Sequence, residues 1–321
     1  MENFRVTWPF WQAVQYLFCT QWQALKEYAN SKHIQIIGDL PIYVALDSVD
    51  VWSSPQDFQL DADLNPTEVA GCPPDGFSAA GQLWGNPLYD WDAMAQNGYA
   101  WWVRRIRHMC SIYDVVRIDH FRGFAGYYAI PYGNKTAEGG RWRTGPGYAL
   151  FAAIKKKLGE PRIIAEDLGF LTDDVNALLR KCGYPGMKVL EFGFDSRDGG
   201  DYRPHGYPVN SIAYVGTHDN EPVNGWMATA APEDVARAVR YLNLTKQEGY
   251  HWGMMRGIWA SAAELSIVQA QDLLGLGHEA RMNTPSTLGG NWCWRAKRGA
   301  FNDRLAVKLH DLTELYGRLP E

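Results

Sequence analysis

Three carboxylic acids in this chain stand immediately after runs that read as buried: Asp119 after VVRI, Glu166 after RIIA, and Asp219 after SIAYVGTH. Where parallel strands alternate with helices around a barrel, the carboxyl ends of the strands build one rim, so residues this far apart in sequence can converge. The everyday role of such an acid is to cap the helix that follows a strand. Three together, each with distinctive neighbours, point beyond capping. Residues two apart in a strand share a face, so Arg117 should point the same way as Asp119. A guanidinium beside a carboxylate keeps it ionised, which suits a nucleophile. His120 and His218 flank two of the acids, as structural histidines or as ligands for hydroxyl groups. Paired carboxylates, one ionised to attack and one protonated to release a leaving oxygen, are what glycosidic cleavage needs. A metal site is the rival explanation for clustered acids. Its best fragment, DADLNP at positions 61–66, lacks the following glycine and closing glutamate of a calcium loop. GLG at 275–277 is likewise too little for a phosphate loop.

To bring such acids together the chain must form an α/β fold. Short β-branched runs predict six strands, at Ile34–Gly38, Val115–Ile118, Arg162–Ala165, Lys188–Phe192, Ile212–Gly216 and Ile267–Ala270. Amphipathic stretches predict helices at Trp11–Asn30, Ala100–Ser111, Tyr148–Leu158, Asp173–Lys181, Pro232–Asn243 and Gly253–Ala263. The alternation is that of βα units and a parallel sheet. The connection from the first strand to the second, about Leu40 to Asn97, is far longer than usual and rich in Pro, Gly, Asp and aromatic residues, the mark of a functional insertion. No internal repeat, low-complexity tract or interdomain linker interrupts the pattern, so residues 1–321 are expected to form a single partial barrel domain with the inserted segment at about 40–97.

Composition narrows the function. The 321 residues are 46% hydrophobic and 21% charged, enough to bury a large core. No apolar stretch is long enough to span a bilayer and the first residues do not read as a secretory leader, so a soluble cytoplasmic protein is expected, with no membrane partner. Five scattered cysteines without a CxxC pair suggest neither disulfides nor zinc. A net charge of -5, with no basic run beyond Lys155, Lys156 and Lys157, leaves no footprint for nucleic acid. The 14 tryptophans, 17 tyrosines and 12 phenylalanines are mostly core material, but Trp84 in GQLWGNP and Trp292 in GGNWCW lie in Gly- and Pro-rich segments. Rings exposed there offer flat apolar faces, and sugars have matching ones.

The strings GDLPIYVALDSVDVW, PPDGFSAAGQLWGNPLYDW, VVRIDHFRGF, IIAEDLG, VGTHDN and DLLGLGHEARMNTPSTLGGNWCWR follow one another in this order over nearly the whole chain. Together they resemble the amylomaltase or disproportionating-enzyme family of 4-α-glucanotransferases, glycoside hydrolase family 77. The resemblance implies a (β/α)8 TIM barrel, here with about six strands because the part of the family domain that supplies the first two is not matched. It implies a retaining double displacement that uses no metal or organic cofactor, acting on α-1,4-glucans and maltooligosaccharides. By motif, Asp119 in RIDHF matches the nucleophile, Glu166 in AEDLG the general acid/base, and Asp219 in THDN the carboxylate that stabilises the transition state. Arg117, His120 and His218 match residues lining the cleaved sugar, and Tyr43 and Asp47 in IYVALDS match sugar-binding positions. Gln82 and Trp84 match positions in a long loop over the glucan groove, and Asn291 falls in the corresponding late loop. Two other outcomes stay open: an α-glucan hydrolase using the same acids, and a non-catalytic glucan-binding remnant. The oligomeric state is not legible.

Overall fold

The protein is represented by a computed structural model that describes residues 2–74, 81–169, 171–196, 202–285 and 287–320, with side chains from residue 8 onward. Residues 75–80, within the long segment after the first strand, lie outside the described residues. The chain divides into two units, Met1–Tyr184 and Pro185–Glu321.

In the first unit the order is α1 (Glu2–Ser31), β1 (Ile37–Leu40), α2 (Val49–Ser53), β2 (Glu68–Cys72), β3 (Gln82–Pro87), α3 (Trp91–Gln96), α4 (Ala100–Ile112), β4 (Val115–Ile118), β5 (Gly126–Pro131), β6 (Arg141–Thr144), α5 (Tyr148–Leu158), β7 (Ile163–Ala165) and α6 (Asp173–Cys182). Strand β4 lies between β1 and β7, and both pairings are parallel. Strand β7 is apolar and buried throughout, as a covered parallel strand should be, whereas β1 and β4 interrupt their apolar residues with Asp39 and Arg117. Helix α4 turns Trp101, Trp102, Val103 and Ile106 inward, where they meet Tyr89, Phe121, Phe124 and Phe151 in one aromatic core. Arg105 binds that core to the loop after β1: its guanidinium donates to the carbonyls of Pro41 and Ile42 and to the Tyr89 hydroxyl.

The inserted segment differs from its reading as a loop. Gln82 and Trp84 lie on β3, an edge strand of an antiparallel sheet ordered β3-β2-β5-β6. Helix α1 touches the rest of this unit through its last turns, where Trp22 Nε1 donates to the Ile112 carbonyl (2.8 Å), Lys26 pairs with Asp114 (3.5 Å) and Asn30 donates to Asp114 (2.9 Å). Its earlier turns leave Trp8, Phe10, Trp11, Leu17 and Phe18 more than half exposed.

The second unit contains β8 (Gly186–Val189), β9 (Ser211–Tyr214), α7 (Val223–Thr229), α8 (Pro232–Leu242), α9 (Tyr250–Trp259), β10 (Leu265–Ile267), α10 (Ala270–Leu273) and α11 (Asp303–Leu315). Strand β9 pairs in parallel with β8 and with β10. The expected strand Lys188–Phe192 is displaced toward the N-terminus, and residues 190–194 form a 3₁₀ turn. Leu190 and Phe194 are fully buried in that turn, so a continuous apolar run did not mean a longer strand. The last strand likewise ends at Ile267, and Ala270 opens α10.

Candidate active site

Strand register brings two of the three acids together. In the β4–β7 pairing Arg117 lies opposite Ile164 and Ile118 opposite Ala165, so the residues that follow, Asp119 and Glu166, emerge side by side at the carboxyl ends of adjacent strands. The ladder continues one step past each strand: the Asp119 amide donates to the Leu40 carbonyl (2.9 Å) and the Glu166 amide to the Ile118 carbonyl (3.0 Å).

Arg117 serves two carboxylates. Its Nη1 is 2.6 and 2.7 Å from the two oxygens of Asp39 and 3.1 Å from Asp119 Oδ1. Asp39 stands directly opposite Arg117 in the β1–β4 register. Burial works against the guanidinium charge, but Asp39, Asp119 and Glu166 outweigh it and hold Arg117 above its ordinary pKa. Asp119 keeps nearly half of its side chain open to solvent, so one carboxylate is both charge-compensated and reachable.

Glu166 stands in a different environment a few atoms away. Burial pushes its pKa up and the charge of Asp119 adds to the effect, while Arg117 and the N–H groups of Leu168 and His120 partly offset them, leaving a value of about 7. Those two amides donate to opposite oxygens, Leu168 to Oε1 and His120 to Oε2, each at 2.7 Å, and so fix the plane of the carboxyl group. Two neighbouring acids with environments this different can divide the roles of attacking base and proton donor.

His120 adopts a left-handed backbone, φ 51°, which turns its N–H toward Glu166. Burial, with Arg122 adding to it, lowers its pKa to about 3, so the imidazole is neutral. The ring stands edge-on to Trp84, with centroids 4.9 Å apart, and Trp84 Nε1 donates to Gln82 Oε1 at 3.0 Å. Tyr43 is buried 6.2 Å from the Trp84 ring. A Cβ on residue 123 would lie 2.6 Å from Ile42 Cδ1 and 3.1 Å from His120 Cδ2, so a larger residue there would have to displace both side chains. Asp47, on the turn before α2, is exposed.

In the second unit Asp219 ends the segment that leaves β9. Its amide donates to the Thr217 hydroxyl (3.3 Å), and Thr217 in turn donates from both N and Oγ1 to Asn220 Oδ1 (2.9 Å each). Asn283 Nδ2 donates to Asp219 Oδ1, and His218 Nε2 lies 3.5 Å from Oδ2. The Trp292 ring is 5.0 Å from that of His218 and more than half exposed. Asn291 is occupied locally: its Oδ1 accepts from the Thr284 amide and its Nδ2 donates to Thr287. Among the described residues no group of three His, Cys, Asp or Glu is arranged to hold a metal ion, and no helix is long and apolar enough to cross a membrane.

Thus the first unit assembles Asp119, Glu166, Arg117 and His120 with Trp84, Gln82 and Tyr43 adjoining, and the second groups Asp219 with His218. Sequence reasoning passed over Asp39, although IIGD is itself a run of apolar residues and glycine ending in an acid. It also passed over Glu221, Arg281 and Asn283, which surround Asp219.

The 4-α-glucanotransferase family model, glycoside hydrolase family 77, matches residues 2–301. The chain is 51% identical over 311 residues to the 4-α-glucanotransferase of Clostridium butyricum, covering 96% of this chain and 64% of that protein. It is 46% identical to the chloroplastic/amyloplastic 4-α-glucanotransferase of Solanum tuberosum, covering 96% of this chain and 54% of that protein. Among solved structures, the amylomaltase of Streptococcus agalactiae in complex with acarbose superposes with a TM-score of 0.92 at 45% identity, covering 96% of this chain and 62% of that one. The fold is therefore α/β, six parallel strands of a partial TIM barrel of the family 77 type. With a family model matched over nearly its whole length, and spanning less than two thirds of these relatives, the chain belongs to the 4-α-glucanotransferase family, glycoside hydrolase family 77.

Proposed function

We propose that this chain transfers segments of 1,4-α-D-glucan to the 4-hydroxyl of an acceptor glucan or glucose by a retaining double displacement. The observation that carries the reading is the pairing of Asp119, charge-compensated by Arg117, with Glu166, whose proton is held to about pH 7. Asp119 attacks the anomeric carbon as the glycosidic bond breaks, and Glu166 gives its proton to the departing oxygen. Glu166, now a carboxylate, takes the proton of the acceptor 4-hydroxyl as that oxygen displaces Asp119. Asp219 supplies negative charge to the sugar cation that develops in both steps, and Arg117, His120 and His218 line the cleaved sugar. Tyr43, Asp47, Gln82, Trp84 and Asn291 bind the flanking glucose units. The aromatic wall of Trp84 and Tyr43 favours a sugar acceptor over water.

Incubating the purified chain with maltotriose tests the reading. A ladder of longer and shorter maltodextrins is expected from the protein, and its loss from Asp119→Ala, by at least about a thousandfold for removal of a nucleophile. A ladder that survives Asp119→Ala rules out the assignment. Glucose release without chain-length redistribution makes the protein a hydrolase. Acarbose binding without turnover leaves a glucan-binding protein.

A further inference from the structure

We infer that Arg281 is the positioning residue for Asp219, working through Asn283 and held in place by Glu221; the inference rests on the role of Asp219 proposed above. The guanidinium uses three edges in three directions. Nη2 donates to the Asp219 carbonyl (2.6 Å), Nε to the Asn283 carbonyl (2.9 Å), and Nη1 to Glu221 Oε1 (2.7 Å). One rigid planar group therefore ties segment 219–221 to segment 281–283. The tie is reciprocated, because the Asn283 amide donates to the His218 carbonyl (3.1 Å) and Asn283 Nδ2 donates to Asp219 Oδ1.

The arrangement divides charge in a particular way. The cation pairs with Glu221, which is mostly buried, while Asp219 receives the neutral amide of Asn283 on Oδ1 and has His218 Nε2 3.5 Å from Oδ2. Had the guanidinium faced the Asp219 carboxylate, it would have cancelled the charge that a developing sugar cation needs. Glu221 is fixed from several sides. His278 Nδ1 lies 2.8 Å from Oε1, and Gln269 Nε2 reaches the Glu221 carbonyl at 3.4 Å. Among the described residues its Oε2 is buried with no hydrogen-bond partner, and it lies 2.6 Å from where a Cβ on Gly225 would be, so the side chain can hold this position because residue 225 carries none. Lysine at 281 keeps the charge but cannot span three acceptors with one plane.

The test compares maltotriose disproportionation by the chain with Arg281→Lys, Arg281→Gly and Glu221→Gln. Arg281→Lys is expected to lower kcat on the order of 100-fold, the cost of a misplaced catalytic group, with KM little changed. Guanidinium ion added at non-denaturing concentration should restore part of kcat to Arg281→Gly and none to Asp219→Ala, an effect that a merely structural role would not produce. A second readout needs no turnover: in the chain labelled with ¹⁵N-asparagine, the side-chain amide signal of Asn283, identified by its loss in Asn283→Ala, should move in Arg281→Lys. If Arg281→Lys does not fold, Glu221→Gln, which keeps the side chain's shape, should move the same signal and lower kcat. Wild-type kcat in the folded variants, or an unmoved Asn283 signal, overturns the inference. A chain that makes no ladder at all overturns the proposed function, and the Asn283 signal still decides the role of Arg281.

Discussion

Glu166 and Asp119 show how far two identical functional groups diverge when only their surroundings differ. Because burial and the charge of Asp119 raise the Glu166 pKa to about 7, the carboxyl carries its proton below that pH and loses it above. The rate of transfer, kcat/KM, should therefore fall on the alkaline side from about pH 7, approaching tenfold per pH unit. Glu166→Gln should lower the rate and remove that limb. A wild-type rate still level at about pH 9 would show that Glu166 is not the proton donor. At this scale the sequence was legible where local rules apply. The acid after an apolar run and the alternation of Arg117 with Asp119 needed no tertiary information. The ring of groups around Asp219 was not legible, because no periodicity places position 281 beside position 219. Asp39 lies within β1 rather than after it, and its pairing with Arg117 depends on a register between strands far apart in the chain.

Elements announced themselves where their ends carry chemistry. Helix α6 starts after Thr172 with Asp173 and Asp174 in its first turn and stops at Gly183 in the left-handed region, φ 75°. Helix α8 opens with Pro232 and ends at Asn243, φ 51°. The antiparallel sheet gave no such signal: β2 is buried along almost its whole length, β6 (RWRT) is exposed at every residue, and neither alternates. Contacts between elements also set stability. Asp272 on α10 is fully buried and its Oδ1 accepts from the Val223 amide, the first of α7, at 2.7 Å. Burial raises its pKa from 3.8 to about 7, against the opposing effect of that amide. Below the ordinary value both folded and unfolded chains hold the proton and the fold keeps its full stability. Between 3.8 and 7 only the folded chain holds it, so unfolding free energy falls as pH rises, by up to about 1.4 kcal/mol per pH unit. Asp272→Asn keeps the acceptor and cannot ionise. Its stability relative to the parent, read from urea unfolding, should rise between about pH 5 and pH 7, and a pH-independent difference would contradict the assignment.

For the whole molecule, the alternation of strand and helix and the six ordered strings were enough to reach the family, while the extent of α1 was only partly anticipated. The first half of that helix presents Trp8, Phe10, Trp11 and Phe18 at 53 to 64% exposure, more large apolar side chains on one short stretch than soluble proteins usually leave open. The folded chain is expected to bind anilinonaphthalene sulfonate, and Trp11→Lys with Phe18→Lys should remove most of that emission while the urea midpoint holds. Emission unchanged by the pair would place the dye elsewhere. A different consequence follows from the packing around Glu221. Gly225 lies on α7, apart from Asp119, Glu166 and Asp219 in sequence, yet one added methyl would press on Oε2 of Glu221, the partner of Arg281. What a residue leans on thus matters at 225 more than its place in the sequence, and a change as small as glycine to alanine there reaches the Glu221–Arg281 pair while all three acids stay intact.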